Sequence, residues 1–229
     1  MNKSLKKLLF RYMSDKMIGY NHYRTHKDGI RCWAESGNLL FLHVPKAAGT
    51  SINKSLNMPD VGHYTYKELC EFDFRFKEKS SIFLVYRSPV SRLMSTYRYA
   101  KKAELQKGYS SLSKVSKYAT FDQFIDTYLN VKRIRDNYFF KPVTDFICGA
   151  DLDRVYIVNF DKLAEGYNYV LENFDMDPVK LPLSNTTSSS ALDISQTSID
   201  KINRLYASDI VLEKALNGAP YINGAVIDL

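Results

Sequence analysis

The sequence is poor in the residues that staple small domains or ligate metals. Its 229 residues include three cysteines, Cys32, Cys70 and Cys148, and four histidines. The cysteines are widely spaced, and no CxxC or Cys/His ligand spacing occurs. That argues against a disulfide framework or a zinc site and suits free thiols in a reducing compartment. No apolar run approaches the ~20 residues needed to span a bilayer. Residues 1–17 are basic (Lys3, Lys6, Lys7, Arg11), but their apolar piece, Leu8-Leu9-Phe10, stops at Arg11 and no small-residue cleavage site follows. A secretory signal is therefore not expected. Repeats and domain-splitting linkers are missing as well.

What is present suits one packed domain over residues 1–229. Hydrophobic residues make up 45% of the chain and charged ones 25%, in the range of a globular core. The 17 Tyr and 13 Phe are a heavy aromatic load, mostly for the core, with some able to stack on a purine or a sugar ring. A net charge of +7 suits an anionic ligand, nucleic acid or an acidic membrane surface, and charge alone does not choose among them.

Three apolar runs have strand length: Leu39 onward, Ser81 to Tyr86, and Val155 to Phe160. Each is followed by a helical pattern: Thr50 to Leu56, Val90 to Ala103, and Lys162 to Phe174. Continuous apolar strands alternating with helices predict an α/β fold with a central parallel sheet. Further helices are expected over Phe121–Leu129 and Ile199–Leu216, the latter opened by a capping box at Thr197 and Asp200. Residues 1–38 read as a basic appendage and 39–216 as the core. Leu5, Leu8, Leu9, Tyr12 and Met13 lie at helical spacing among lysines, a pattern that either packs on the domain or meets a membrane surface. Residues 104–119 read as a mobile lid.

The most informative stretch is His43-Val44-Pro45-Lys46-Ala47-Ala48-Gly49-Thr50-Ser51. It runs from a strand through a tight loop into a helix N-terminus. Small side chains let the amides of Ala47, Ala48, Gly49, Thr50 and Ser51 close around an anion, which the helix dipole favours. Lys46 adds a point charge, and Thr50 and Ser51 add hydroxyls. The stretch departs from the nucleotide-triphosphate loop GxxxxGK[ST], because Lys46 comes early and no Lys precedes the hydroxyl that would hold Mg²⁺. A second stretch, Tyr86-Arg87-Ser88-Pro89-Val90-Ser91-Arg92-Leu93-Met94-Ser95-Thr96-Tyr97, sends Arg87 off a buried strand end, where open α/β sheets bind ligands. Ser91 and Ser95 share a helix face beyond it. Two such anion sites ask for a ligand with phosphates at both ends.

The first stretch resembles the 5′-phosphosulfate loop of carbohydrate sulfotransferases. Arg-x-Pro-x-x-Arg-x-x-Ser-x-Tyr resembles the 3′-phosphate motif of the sulfotransferases that use 3′-phosphoadenosine 5′-phosphosulfate (PAPS). Asn159-Phe160-Asp161-Lys162-Leu163, Asn185-Thr186-Thr187-Ser188 and Tyr206-x-x-Asp209 resemble further family segments, so the likeness runs from about residue 39 to 215. It is nearest the family 2 branch that acts on carbohydrates, and of bacterial type. The resemblance implies a P-loop-like three-layer α/β/α sulfotransferase fold. It also implies PAPS as sulfate donor without a metal, and a saccharide or glycolipid acceptor rather than nucleic acid. The setting it suggests is cytoplasmic, with peripheral membrane contact through the basic N-terminus as a variant. By the same resemblance Lys46, Gly49, Thr50 and Ser51 hold the 5′-phosphosulfate, Arg87 and Ser95 the 3′-phosphate, and Ser188 lies near the nucleotide. Val143 departs from the family, where a Gln commonly follows the Pro.

Sulfuryl transfer needs a cation and N–H donors where charge builds on the leaving oxygen, a task for Lys46 and the loop amides. It also needs a base for the acceptor hydroxyl. His22 and His26 precede the core, and His43 lies inside a strand and reads as structural. His63 follows Gly62, and His-x-x-x-x-Glu-Leu resembles the family segment with the catalytic His; Glu68 and Glu71 are fallback bases. The alternatives are a small-molecule kinase, which the early Lys46 disfavours, and a non-catalytic anion- or nucleic-acid-binding module driven by charge.

Overall fold

The computed structural model describes residues 26–79, 81–102, 112–178, 181 and 193–227. The basic helix expected near the N-terminus, residues 104–111 of the expected lid, and the loop with Ser188 lie outside these residues; the remainder of the expected lid, residues 112–119, is anchored by the fully buried Leu112 and Val115.

Four strands form one sheet: β1 (Leu39–Leu42), β2 (Ser81–Tyr86), β3 (Val155–Asn159) and β4 (Tyr221–Asn223). They lie side by side in the order β1-β2-β3-β4. The first three are parallel, with Leu42 paired to Leu84 and Tyr86 to Asn159. Every residue of β1 and β2 is buried. Successive side chains on a strand point to opposite faces, so helices must cover both, and the architecture has three α/β/α layers. β4 pairs antiparallel with β3, Tyr156 opposite Asn223, and was not foreseen. At three residues it is too short to carry a periodic signal, and it forms because the chain returns to an open sheet edge. It also covers that edge.

Six helices carry the argument: α1 (Gly49–Ser55), α2 (Tyr66–Phe72), α3 (Pro89–Ala100), α4 (Leu163–Glu172), α5 (Gln196–Leu205) and α6 (Ala207–Leu216). Three differ from expectation. Helix α1, expected to open with Thr50 or Ser51 near its N-cap, starts without a hydroxyl cap: Ala48 is its N-cap, with a left-handed φ of 63°. The single helix expected from Ile199 to Leu216 is two, capped by Ser195 rather than Thr197 and broken at Tyr206. Tyr206 is fully buried, and its hydroxyl donates to the Phe140 carbonyl at 2.6 Å. Anchoring that hydroxyl takes precedence over helical continuity. Residues 121–128 form one α turn, Phe121–Gln123, followed by a π-helix, Phe124–Tyr128. Lys201 caps the wide turn by donating to the carbonyls of Ile125 and Asp126 at 2.8 and 2.9 Å.

The aromatic load divides between two cores. One surrounds the sheet and includes Phe41, Phe83, Tyr167, Ile30 and Trp33; the last two belong to a helical segment at residues 26–35. Trp33 Nε1 donates to the Pro59 carbonyl at 2.9 Å, so residues 26–38 contribute to the main core. The second core joins α3 to α5 through Leu93, Tyr97, Phe121, Phe124, Phe140 and Tyr206. Asp209 anchors α6 to residues 143 and 144 beside the main core. It is fully buried and accepts from the amides of Val143 and Thr144 at 2.8 and 3.0 Å and from the Thr144 hydroxyl at 3.1 Å. Asp209→Ala leaves those donors buried without an acceptor. We expect a loss of about 3–5 kcal/mol, read as a lower urea midpoint at unchanged slope; a midpoint equal to the parent's would contradict the network.

Candidate active site

β1 ends earlier than its apolar run. Val44 N–H turns back onto the Leu42 carbonyl at 3.0 Å, and Pro45 has no N–H with which to extend the ladder. The chain then curls through Lys46 (φ 64°) and Ala48 (φ 63°). Left-handed residues in such a turn gather backbone N–H groups into a concavity suited to anions. The first amides of α1, on Gly49 and Thr50, have no intrahelical partner by construction. Gly49 is required by its neighbour rather than by its φ. A Cβ there would lie 1.9 Å from Cδ2 and 2.0 Å from Nε2 of His43.

His43 is buried, as expected for a strand-end histidine. Its Nδ1 donates to Asp60 Oδ1 at 2.8 Å, while its backbone carbonyl accepts from His63 Nδ1 at 3.0 Å. A carbonyl can only accept, so in this bond the His63 proton sits on Nδ1 and the ring lone pair on Nε2. His63 is half-buried and packs edge-on to His43, 4.3 Å between centroids, with Tyr138 at 5.1 Å. Asp60 also accepts from Gly62 N at 3.0 Å and Asn53 Nδ2 at 3.3 Å. Burial pushes its carboxyl up, but hydrogen bonds from His43 and Gly62 and the neighbouring imidazoles hold it well below the usual carboxylate range. Of the fallback bases, Glu68 is engaged in the capping box of α2, accepting from Thr65 N at 2.7 Å.

The parallel register brings the loop after β2 beside the loop after β1. Arg87 crosses between them: Nη1 donates to the Lys46 carbonyl at 3.0 Å, and Nε donates to Ser91 Oγ at 2.9 Å. Its guanidinium stacks on Phe160, 4.2 Å from the ring centre. Ser91 is thus the hydroxyl that touches Arg87, and Ser95 lies buried one turn further along α3. Arg92, the other arginine of the motif, is fully buried. It donates to the carbonyls of Phe139 and Lys141 at 3.3 and 2.5 Å, a structural duty.

The Lys46 ammonium lies over Tyr99, 4.2 Å from the ring centre. Burial, Lys102 and Arg87 push its pKa down to about 8. Lys46 is therefore charged below that pH and neutral above it. Affinity for a phosphate anion is expected to fall by up to about tenfold per unit as pH rises past 8; a flat profile from pH 7 to 9.5 in calorimetric titrations would remove Lys46 from the anion site. Beside the loop a groove of about 500 Å³ is lined by Thr50, Asn53, Lys54, Asn57, Met58, Pro59 and Asp60.

Lys46, Gly49, Thr50, Ser51, Arg87 and His63, chosen from sequence, thus gather at one edge of the sheet. The chain matches the model of the sulfotransferase family over residues 32–212. It belongs to that family. No curated protein and no solved structure gives a significant match. A sulfotransferase transfers sulfuryl groups, and a loop with left-handed turns at Lys46 and Ala48 beside two cationic side chains suits an anionic sulfate donor. Among the described residues of this sulfotransferase no cluster of His, Cys, Asp and Glu is arranged to hold a metal, and no helix is long and apolar enough to cross a membrane. Three residues of the site escaped sequence reasoning, Asp60, Asn53 and Tyr99, while Phe160 was read only as part of a family-like segment and not as the ring beneath Arg87. Only Asp60 had a local signal, as an acid three residues before the candidate base.

Proposed function

We propose that this sulfotransferase moves a sulfuryl group from PAPS to a hydroxyl of a carbohydrate or glycoconjugate, the whole chain acting as one domain. The observation that carries the reading is the Arg87–Lys46 hydrogen bond. It joins two anion-binding loops at the ends of neighbouring parallel strands, as a donor phosphorylated at both ends requires. The amides and hydroxyls of Ala47 to Ser51 and the Lys46 ammonium would hold the 5′-phosphosulfate. Arg87, with Ser91 steadying it and Ser95 beyond, would hold the 3′-phosphate, and Ser188 would lie near the nucleotide.

In the transfer the acceptor oxygen bonds to sulfur as the bond from sulfur to the bridging phosphate oxygen breaks. The acceptor proton passes to His63 Nε2. The charge left on the bridging oxygen is met by Lys46 and the loop amides, preorganised by the backbone. The groove beside Thr50 offers amide, hydroxyl and charged groups to a saccharide or glycolipid. We place the enzyme in the cytoplasm, with the basic residues near its N-terminus suited to an anionic membrane surface.

Calorimetric titration tests the donor. Tight binding of 3′,5′-bisphosphoadenosine without metal is expected, and Arg87→Ala should weaken it by about tenfold to hundredfold, the range for a lost hydrogen bond to a charged group. Preference for ATP–Mg²⁺ would overturn the reading in favour of a kinase. Affinity unchanged by Arg87→Ala would remove the 3′-phosphate assignment.

A further inference from the structure

Asp60 has no role in the reaction as set out above, yet it stands at the centre of the site's hydrogen bonds. Its Oδ1 accepts from His43 Nδ1, Gly62 N and Asn53 Nδ2 at 2.8, 3.0 and 3.3 Å. These donors come from the end of β1, from α1, and from the turn immediately before His63. Gly62 has a φ of +84°, in the left-handed region, so that turn has a sharply defined shape. The bond from its amide to Asp60 fixes where His63 leaves it. The His43 ring sits against Gly49, with no room for a Cβ between them, and the His43 backbone carbonyl accepts a hydrogen bond from His63 Nδ1 at 3.0 Å. One carboxylate therefore restrains His63 from two directions: through the backbone turn that carries it, and through the residue that accepts its ring hydrogen bond.

We propose that Asp60 is a positioning residue, whose carboxylate holds His63 in the tautomer and place from which Nε2 can take the acceptor proton. This rests on the donor and base assignments above. The side chain of Asp60 is 45% exposed while that of His43 is 7% exposed. A carboxylate at the rim that grips a buried ring does more than fill the core, and the pair commits the His43 Nδ1 proton to one partner. Ring orientation set by a carboxylate is a general way of fixing an imidazole.

The test uses the full chain, with long-range ¹H–¹⁵N spectra of the histidine ring nitrogens and the release of sulfate from PAPS to water, water serving as the simplest hydroxyl acceptor. In the parent protein His63 should show the Nδ1–H tautomer. Asp60→Ala should replace that signature with an averaged one and lower hydrolytic kcat at least tenfold. Affinity for 3′,5′-bisphosphoadenosine should fall much less than kcat, because the hydrogen bonds of Asp60 go to His43, Asn53 and Gly62 rather than to the loop amides or Arg87. Asp60→Asn, whose Oδ1 can still accept from His43 and Gly62, should restore the tautomer and most of the rate. A merely structural aspartate would lower stability without changing the ring-nitrogen signature of the folded fraction. Should the alanine variant not fold, Asp60→Ser carries the same test. A parent-like His63 spectrum and rate in the truncated variant would overturn the inference. Failure of the parent protein to bind the bisphosphate would instead overturn the donor assignment, and the ring spectra would still decide the placement of His63.

Discussion

Gly49→Ala is expected to abolish bisphosphate binding and to lower stability by more than about 3 kcal/mol, beyond the usual penalty for one added methyl group in a core. The added Cβ would stand 1.9 Å from Cδ2 and 2.0 Å from Nε2 of His43, and the ring has nowhere to go. It is 6% exposed, stacked against Phe41 with 5.9 Å between centroids, and tethered to Asp60 at 2.8 Å. The alternative is for the loop to lift away from the ring. Its amides would then no longer converge, because the left-handed turns at Lys46 and Ala48 shape them together. Urea unfolding and calorimetry with 3′,5′-bisphosphoadenosine read the two effects separately. A variant with parental stability and affinity would show that the His43 ring is not the surface on which the loop is built.

The second large effect should appear in turnover and leave donor binding alone. His63→Ala should lower the rate of sulfuryl transfer from PAPS, with water as acceptor, by two or more orders of magnitude, in the range for loss of a general base. Affinity for the bisphosphate should change less than threefold. His63 meets the end of the first strand through the His43 carbonyl and ring, neither of which is among the amides proposed to hold the anion. The split matters because an interaction lost only in the transition state lowers kcat and leaves ground-state binding in place. Parental turnover would take His63 out of the mechanism and turn attention to Glu71. Its fellow candidate Glu68 is already engaged in capping α2.

How far the site could be read in advance differs between residues. Lys46 and Gly49 stand in a short strand–loop–helix segment whose composition already implies an anion cradle. Arg87 follows a fully apolar strand into Pro89, and strand ends of that kind meet at one edge of a parallel sheet. The partner of Arg87 was not legible. Ser91 and Ser95 share a helix face, and only the side-chain direction at the start of α3 brings Ser91 Oγ within 2.9 Å of Nε. The Asp60–His43 bond spans 17 residues, and no local pattern couples a strand end to a turn that far away.

The sequence by itself determined the alternation of buried strands with helices, the parallel core of the sheet, and the residue make-up of the two loops. Those features depend on local periodicity, on where apolar runs stop, and on which small or charged residues follow. Tertiary structure decided the antiparallel β4, the break at Tyr206, the π-helical turn at Phe124–Tyr128 and the Asp60 network. Each of these satisfies a polar group or covers an edge using atoms distant in the chain. The balance is struck only when the packed neighbours are in place, since a buried donor or acceptor must find a partner wherever one lies.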